Sequence, residues 1–341
     1  MKSNNLGIDL GYGFLKATDG KTDYIFPSVV GSGGSLFTNN FFEEKPQNVI
    51  NNLSVNINGN LFFVGDLAIK KSQFATRSLW EDKIRDNNTL VLFLTAVGLF
   101  ANSLNKSFNI VTGLPTACYN VYKDQMKEKL LGKHNVTFNL PKKKEEIEIK
   151  INNVEIVPQP YGTFINEFID EKGNIIDDEL KYLKIGIIDV GFKTTDFLVV
   201  NGFDYIERLS DSIQVGISNA YRIFSDQIKL EYNFSIENYK LDAIFKDEKL
   251  KIYGKEKDVS HIKRDSLIKL AQKIIIEAKS LWEEKELDRI YITGGGGIEI
   301  SKYLLDQFNN AYVVNLSQFA NVKGFAKLCN KINKTTATIK E

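Results

Sequence analysis

Apolar and polar positions follow two different periods along this chain, and the two periods alternate. Short apolar runs bounded by glycine or asparagine predict buried strands, as at residues 6–10 and 108–115. Longer stretches with apolar residues three and four apart predict helices at about 87–104 and 121–132, the latter closed by Gly132. The first half is therefore expected to combine strands with helices.

The second half repeats this plan. It predicts a strand pair at 184–208, helices at about 215–230 and 264–285, a buried strand entering a glycine loop at 288–300, and a terminal helix at 321–333. Strands that alternate with helices in both halves indicate an α/β protein. The weak self-similarity between the halves suggests two related lobes.

Three further segments of the first half have distinctive patterns. Residues 31–60 are rich in Gly, Ser and Asn and are expected to be mostly loop, while residues 58–71 predict a second hairpin. Residues 142–153 alternate isoleucine with charge, which predicts a half-solvated strand. The lysine run in that segment is interpreted as a solvated face, with a binding patch as the alternative.

Composition and charge place the chain among globular proteins. It has 341 residues, 43% hydrophobic and 26% charged, enough for two domains. The net charge of +1 argues against a protein that coats nucleic acid by itself. Cys118 and Cys329 have no disulfide or metal-ligand spacing and are expected to be small apolar fillers. His134 and His261 are expected to be solvated.

No targeting or membrane feature is expected. The first residues lack the apolar stretch of a signal peptide. The most apolar run, residues 89–101, is shorter than the roughly 18 residues that a spanning helix needs. We therefore predict a cytoplasmic protein without a membrane partner.

A short turn is repeated half a chain apart. Asp9 and Gly11 belong to one copy and Asp189 and Gly191 to the other, and each aspartate lies at the end of an apolar strand. A carboxylate placed there needs a cation or hydrogen-bond donors, because burying an unpartnered charge is costly. The glycine lets backbone N–H groups approach an anion closely. Two such turns could hold a nucleoside triphosphate and Mg²⁺, although either turn alone also fits an ordinary hairpin.

A third glycine-rich segment follows the predicted strand at 288–293. Four glycines in a row, 294–297, suit close approach of a flat or anionic group. The segment has neither the Lys-Ser or Lys-Thr of a P-loop nor the glycine spacing of a dinucleotide fingerprint.

The three glycine segments resemble the phosphate-1, phosphate-2 and adenosine motifs of the actin-fold ATPases, in the order that this superfamily has them. "VTGLP", "VPQPYGTF" and "SQFANVKGF" are similar to segments of ParM-type plasmid-segregation actins. The resemblance implies an actin-like, ribonuclease H-like fold with two lobes around a nucleotide cleft. It implies a domain I of 1–164 with 317–341 and an insertion at about 31–85, and a domain II of 165–316 with an insertion at about 225–285.

The resemblance also implies site roles. Asp9 and Asp189 would hold Mg²⁺, Gln159 would orient the attacking water, and Asp189 would help to place that water. The other nucleotide contacts implied are Gly11, Tyr12, Gly13, Lys16, Gly191, Phe192, Lys193, Thr194, Gly294, Gly295 and Gly296.

The chain departs from the family pattern at one turn. Many relatives have small residues, mostly glycine, at the positions of Phe192 and Lys193. Lys193 either adds positive charge near the phosphates or points into solvent, and Asp196 has either a site role or only a structural one. Gln159 lies between two prolines, so a simple turn residue is its alternative reading.

The expected function is that of a filament-forming ATPase. The cofactors implied are ATP, with GTP left open, and Mg²⁺. The partners implied are further copies of the chain, head to tail, and a small DNA-binding adaptor of ParR type, with plasmid centromere DNA contacted only through it. The chain ends soon after its last predicted helix, which favours a filament protein over a chaperone. A non-polymerising ATP-dependent switch or a small-molecule kinase is the alternative.

Overall fold

The computed structural model describes residues 4–33, 49–72, 75–76, 86–102, 106–140, 143–176 and 178–338. The chain divides into two compact units, residues 1–178 with 319–341, and residues 179–318. The domain limits expected from the sequence stay predictions. Much of the expected insertion at 31–85 lies outside the described residues.

The first unit is built on a mixed sheet whose order across the described strands is β3-β2-β1-β7-β9-β8-β5-β6-β4. The strands are β1 (Asn4–Leu10), β2 (Phe14–Thr18), β3 (Asp23–Pro27), β4 (Val30–Ser32), β5 (Ser54–Ile57), β6 (Asn60–Val64), β7 (Ser107–Leu114), β8 (Gly132–Leu140) and β9 (Lys143–Pro158). The central strands β1, β7 and β9 are parallel. The segments that follow these three strands therefore leave the sheet at the same edge.

Helices cover both faces of this sheet. They are α1 (Asp66–Lys71), α2 (Asn87–Phe100), α3 (Thr116–Leu130), α4 (Tyr161–Phe168) and α9 (Ser317–Thr338), which belongs to the first unit from residue 319 onward. The Asp86 carboxylate accepts a hydrogen bond from the Asn88 N–H at 2.9 Å and so caps α2. The α2 side of the sheet forms the larger core, with Ile8 and Phe93 fully buried. On the other face, Val111 packs against Phe325 of α9.

The second unit is built on a smaller mixed sheet. Its described strands are β10 (Lys184–Val190), β11 (Thr195–Asn201), β12 (Asp204–Tyr205), β13 (Asp211–Ile213), β16 (Arg289–Thr293) and β17 (Ala311–Val313). They are arranged as β12-β11-β10-β16-β17, with β13 also paired to β11. A separate hairpin joins β14 (Lys249–Ile252) to β15 (Lys255–Asp258), and the helices are α5 (Ile217–Tyr232), α6 (Asn238–Asp247), α7 (Ser260–Leu281) and α8 (Gly295–Leu305).

The element types predicted from apolar periodicity are confirmed for most segments. The helices expected at 87–104, 215–230, 264–285 and 321–333 correspond to α2, α5, α7 and α9, with ends that differ by a few residues. The half-solvated strand expected at 142–153 is β9, which continues to Pro158.

Other local predictions need correction. Residues 58–71 are not one hairpin, because the turn lies at Asn58–Gly59 between β5 and β6, and residues from Asp66 onward are helical. The helix predicted at 121–132 begins earlier, at Thr116, and ends at Leu130. Gly132 directly follows the C-cap, Leu131, with a φ of 107°, as expected of a glycine that ends a helix, and it also begins β8.

The sequence predictions for the two cysteines, for His261 and for membrane-spanning helices can also be compared with the structure. Both cysteines are buried, and burial raises the pKa of the Cys329 thiol to about 12. His261 lies at the surface, where its Nε2 is 3.2 Å from a Glu231 oxygen. Across the part of the chain that the structure describes, no helix combines the length and apolar character needed to cross a bilayer.

Candidate functional site

Asp9 is a buried carboxylate with two side-chain partners. It lies near the end of β1 and is 2% exposed. Lys16, its cross-strand partner on β2, places Nζ 2.9 Å from Asp9 Oδ2. The Gln159 amide donates a hydrogen bond from Nε2 to Asp9 Oδ1 at 2.5 Å. Each carboxylate oxygen therefore has a donor, as burial requires.

The turn after Asp9 is held from outside by Ser28. The Ser28 hydroxyl donates to the Gly11 carbonyl at 2.6 Å, and the Ser28 N–H donates to the Gly13 carbonyl at 3.0 Å. A Cβ at Gly11 would lie 2.6 Å from the Phe14 carbonyl oxygen, so the turn requires glycine there. Tyr12 is 7% exposed and packs inward. Sequence reasoning missed Ser28, because the two residues that it contacts, Gly11 and Gly13, lie 17 and 15 positions earlier in the chain.

Gln159 directly follows β9, which ends at the same edge of the sheet as β1, with β7 between the two strands. Its N–H donates to the Leu114 carbonyl at 2.7 Å, and its own carbonyl accepts from Gly162 at 3.2 Å. Gly113 leaves room for it, since a Cβ there would lie 2.9 Å from Gln159 Cα. Gln159 is therefore a turn residue by its backbone and a partner of Asp9 by its side chain.

Asp189 lies in the equivalent position of the second unit. It is 6% exposed near the end of β10, and it pairs in register with Asp196 on β11 and Thr293 on β16. Gly294 follows Thr293 directly, and a Cβ on it would lie 2.4 Å from Asp189 Oδ1. The start of α8 is thus in close contact with this carboxylate.

The second turn, residues 191–194, is joined to helix α5 through its backbone. Gly191 N–H donates to the Thr194 carbonyl at 2.8 Å. The carbonyls of Gly191 and Phe192 accept from Ile217 and Ser218, at 3.1 and 2.9 Å, which gives two N–H groups of the helix start a partner. Because α5 approaches so closely, the turn has a fixed position relative to that helix.

Gly216 makes this approach possible and was missed by sequence reasoning. A Cβ at Gly216 would lie 2.7 Å from the Phe192 carbonyl oxygen and 2.8 Å from that of Gly191. The Phe192 ring also packs on α5, edge-on to Tyr221 with 6.4 Å between ring centroids. The aromatic residue that departs from the family pattern therefore has a packing partner within its own unit.

The remaining side chains of the second turn differ in their contacts. Thr194 is buried, and its hydroxyl lies 3.4 Å from Asp196 Oδ2. Asp196 Oδ1 also accepts from the Ser212 hydroxyl at 2.5 Å, so this carboxylate links β11 to β13. Lys193 is half-buried, and its ammonium has no hydrogen bond or ion pair with the residues that the structure describes.

The glycine run does not form the loop that the sequence predicted. Gly294 precedes the helix with a φ of 84°, and Gly295 to Gly297 are the first turn of α8. A Cβ at Gly296 would lie 2.8 Å from the Val190 side chain, whereas one at Gly295 would have no neighbour closer than 4.0 Å. Two of these glycines, Gly294 and Gly296, therefore allow the helix to pack on β10, whereas a Cβ at Gly295 would meet only the Gln318 side chain at an ordinary contact distance.

The structure thus groups the candidate residues within each unit. Asp9, Lys16 and Gln159 are in direct contact beside the turn of Gly11, Tyr12 and Gly13. In the other unit, Asp189 lies beside Gly294 at the same edge as the turn of residues 191–194. Among the described residues, no group of three or more His, Cys, Asp or Glu side chains could hold a metal ion.

Two family models of actin-like proteins match parts of the chain. A family model for the N-terminal domain of actin-like proteins matches residues 7–162, and a model for the C-terminal domain of an archaeal, MreB-like actin homologue matches residues 187–306. No curated protein sequence matches the chain significantly.

Solved structures resemble the chain over nearly its whole length. The subunit of a 15-stranded ParM filament from Clostridium botulinum is 26% identical, with a TM-score of 0.80 over 97% of this chain and 100% of that chain. A pCBH ParM quadruple mutant described as non-polymerisable is 25% identical, with a TM-score of 0.75 over 96% of this chain and 99% of that chain. An archaeal actin homologue in complex with ADP is 20% identical, with a TM-score of 0.78 over 96% of this chain and 99% of that chain.

The mixed α/β fold and the two family models identify an actin-fold protein. The chain is similar to ParM structures over nearly its whole length, in agreement with the sequence resemblance.

Proposed function

We propose that the protein is an actin-like ATPase that assembles into filaments with ATP and Mg²⁺ and segregates plasmid DNA. The observation that carries the proposal is the similarity to a filament subunit over 97% of this chain. Fold alone does not assign an activity, so the site residues have to support it separately.

The candidate residues suit a metal–nucleotide complex. Mg²⁺ prefers oxygen ligands and is commonly held by one or two carboxylates together with substrate phosphates. Asp9 and Asp189 are buried carboxylates beside glycine turns, and the N-terminus of α8 next to Asp189 favours negative charge. Bound Mg²⁺ would neutralise charge on the phosphates.

The protein's own backbone and side chains would bind the phosphates and position the attacking water. The turns of Gly11–Gly13 and Gly191–Thr194 would bind phosphate oxygens through backbone N–H groups, with Lys16 and Lys193 as cations. Gln159 would orient the attacking water, and Asp189 would accept its proton. Positioning and charge neutralisation are the main requirements of phosphoryl transfer.

Assembly and cargo movement complete the proposal. Nucleotide-bound subunits would add head to tail, a heterologous contact that does not close and so builds a filament. Hydrolysis would weaken these contacts. An adaptor of ParR type would connect the filament to centromere DNA in the cytoplasm, in keeping with the net charge of +1.

Light scattering, pelleting and phosphate release, followed in the same samples, test the proposal. Wild-type protein is mixed with Mg²⁺ and ATP, GTP, ADP or no nucleotide, and we expect pelleting with triphosphate and phosphate release that Asp189→Asn abolishes. Asp196→Asn is the matched control, because Asp196 is an equally buried aspartate whose partners are Ser212 and Thr194. Turnover without pelleting at any protein concentration would instead favour a switch or kinase.

A further inference from the structure

Helix α4 begins without a cap of its own. The residue at its N-cap position is Pro160, whose side chain cannot accept a hydrogen bond from the first helical turn. The N–H groups of that turn have no partner within the helix, so they need an acceptor from elsewhere. The start of α4 bears on the candidate site, because Gln159 directly precedes Pro160 and donates to Asp9.

Asn321 of helix α9 supplies the acceptor. Its Oδ1 accepts a hydrogen bond from the Thr163 N–H at 3.1 Å and another from the Thr163 hydroxyl at 2.7 Å. Thr163 is fully buried and Asn321 is 7% exposed, so water does not compete for these bonds. Because a backbone N–H can only donate, the amide oxygen of Asn321 is the atom that faces α4. The two residues lie 158 positions apart, in the segments VPQPYGTF and SQFANVKGF.

The same helix also holds the other end of α4. Lys327 of α9 is 8% exposed and donates from Nζ to the Asn166 carbonyl, in the last turn of α4, at 2.9 Å. Helix α9 therefore gives an acceptor to the N–H end of α4 and a cation to its carbonyl end. This is the polarity that the unpaired backbone groups and the dipole of a helix require.

Glycines bring α4 and α9 into direct contact beneath Gln159. A Cβ at Gly162 would lie 2.8 Å from Asn321 Cα and 2.6 Å from the Phe325 ring. A Cβ at Gly113 would lie 2.7 Å from the same ring and 2.9 Å from Gln159 Cα. Packing this close allows few positions of the α4 start, and the two hydrogen bonds to Asn321 select one of them.

Packing alone does not account for an asparagine at position 321. The neighbouring buried side chains of α9 include Phe325 and Cys329, which are apolar and pack on Val111. A buried amide costs free energy unless it is hydrogen-bonded, and an apolar residue would fill the space without that cost. What the asparagine adds is direction, because its hydrogen bonds form at one placement of the α4 start only.

We infer that Asn321 is a positioning residue for nucleotide hydrolysis and that it acts through Gln159. The inference rests on the proposed function and names a residue for it that lies outside the candidate site. Asn321 fixes the first turn of α4, and the Gly162 N–H of that turn donates to the Gln159 carbonyl at 3.2 Å. The Gln159 N–H donates to the Leu114 carbonyl at 2.7 Å. With its backbone held on both sides, Gln159 directs its amide at Asp9.

Three variants of α9 separate positioning from stability. Asn321→Leu removes the acceptor, so phosphate release at saturating ATP should fall about ten-fold, while nucleotide affinity should change by less than about two-fold. Asn321→Asp keeps an acceptor oxygen beside the helix start and should retain at least about half of the wild-type rate. Asn330→Leu is the matched control, because Asn330 lies on the same helix but accepts from Asn5 at the start of β1. It should leave phosphate release per bound nucleotide unchanged.

A milder variant covers the case in which Asn321→Leu does not fold. Thr163→Val removes only the hydroxyl donor at nearly constant volume, and we expect phosphate release per bound nucleotide to fall about three-fold. Thr163→Ser restores the hydroxyl and should restore the rate. Equal rates in Thr163→Val and Thr163→Ser would count against the inference.

A double-mutant cycle tests whether Asn321 acts through Gln159. Adding Asn321→Leu to Gln159→Ala should not lower phosphate release further, because the side chain that Asn321 directs is already absent. The same fold loss in both backgrounds would show that Asn321 acts by another route, and it would overturn the inference.

The side-chain amide resonance of Gln159 separates this inference from the proposed function. In isotope-labelled, nucleotide-free protein, the Gln159 signal is the one that Gln159→Ala removes. We expect Asn321→Leu to shift this signal and Asn330→Leu to leave it in place. An unshifted signal in Asn321→Leu would overturn the inference alone. Wild-type protein that binds nucleotide without releasing phosphate would reject the proposed ATPase, and with it the catalytic role of Asn321, even where the signal shifts.

Discussion

The two aspartate–glycine turns share a sequence pattern but are stabilised by different means. In the first unit, Asp9 is held by the side chains of Lys16 and Gln159. In the second unit, the glycine backbone of Gly294 lies against Asp189, and the turn itself is bonded to the backbone at the start of α5. The first turn should therefore be sensitive to changes of charge, and the second to the addition of a Cβ atom.

Gly294→Ala should have the largest effect on stability. Its φ of 84° and ψ of 159° are accessible to glycine almost alone, and a Cβ would lie 2.4 Å from both Asp189 Oδ1 and the Val190 carbonyl oxygen. We expect a loss of about 4 kcal/mol in the free energy of unfolding, measured by urea denaturation. Gly295→Ala is the control and should change it by less than about 1 kcal/mol. Equal losses in the two variants would show that the second turn does not depend on the close contact of Gly294 with Asp189 and Val190.

Lys16→Met tests whether the first turn depends on the charge pair of Lys16 and Asp9. It keeps the aliphatic stem but leaves a carboxylate that is 2% exposed without its cation. We expect a loss of about 3 kcal/mol in the free energy of unfolding. Lys21→Met, at an exposed lysine of the same region, should be neutral within about 0.5 kcal/mol.

A double-mutant cycle sharpens that test. Adding Asp9→Asn to Lys16→Met removes the uncompensated charge, so the double variant should regain about 1–2 kcal/mol relative to Lys16→Met alone. Additive losses would show that the pair is not coupled and that the first turn is held by other contacts.

Gly216→Ala should destabilise the second turn by sterics alone. Gly216 has an extended backbone, with φ of −152°, so alanine causes no φ strain, but its Cβ would lie 2.7 Å from the Phe192 carbonyl oxygen. We expect a loss of about 2 kcal/mol in thermal or urea unfolding. Unchanged stability would mean that α5 can move away from the turn at little cost.

Gln159→Ala should have the smallest effect on stability and a larger one on hydrolysis. Removing the amide takes one donor from Asp9, which should lower the free energy of unfolding by about 1 kcal/mol. If Gln159 orients the attacking water, phosphate release per bound nucleotide should fall about 100-fold. Phosphate release that falls only in proportion to nucleotide binding would assign Gln159 a structural role.

Sequence reasoning predicted what depends on local pattern. The strands that precede Asp9 and Asp189 and the turns that follow them were predictable, because alternation of apolar residues and glycine placement act over a few positions. The helical start at Gly295 was not predictable, since glycine disfavours a helix and the close packing of Gly294 and Gly296 on β10 is visible only in the fold.

The residues that contact the two turns could not be predicted from the sequence either. Ser28, Gly216 and the contact between Gln159 and Asp9 each join segments that are distant in sequence, and no local pattern marks them. Phe192 looked like a departure from the family at the turn, yet its packing on Tyr221 becomes visible only when α5 is in place.

The most direct measurement is sedimentation of the wild-type protein with ATP in excess Mg²⁺, compared with ATP in excess EDTA. The account predicts pelleted protein above a critical concentration in Mg²⁺, with phosphate release rising with the pelleted fraction, and neither in EDTA. Protein that remains in the supernatant in both conditions, at concentrations far above those at which it binds nucleotide, would contradict the account.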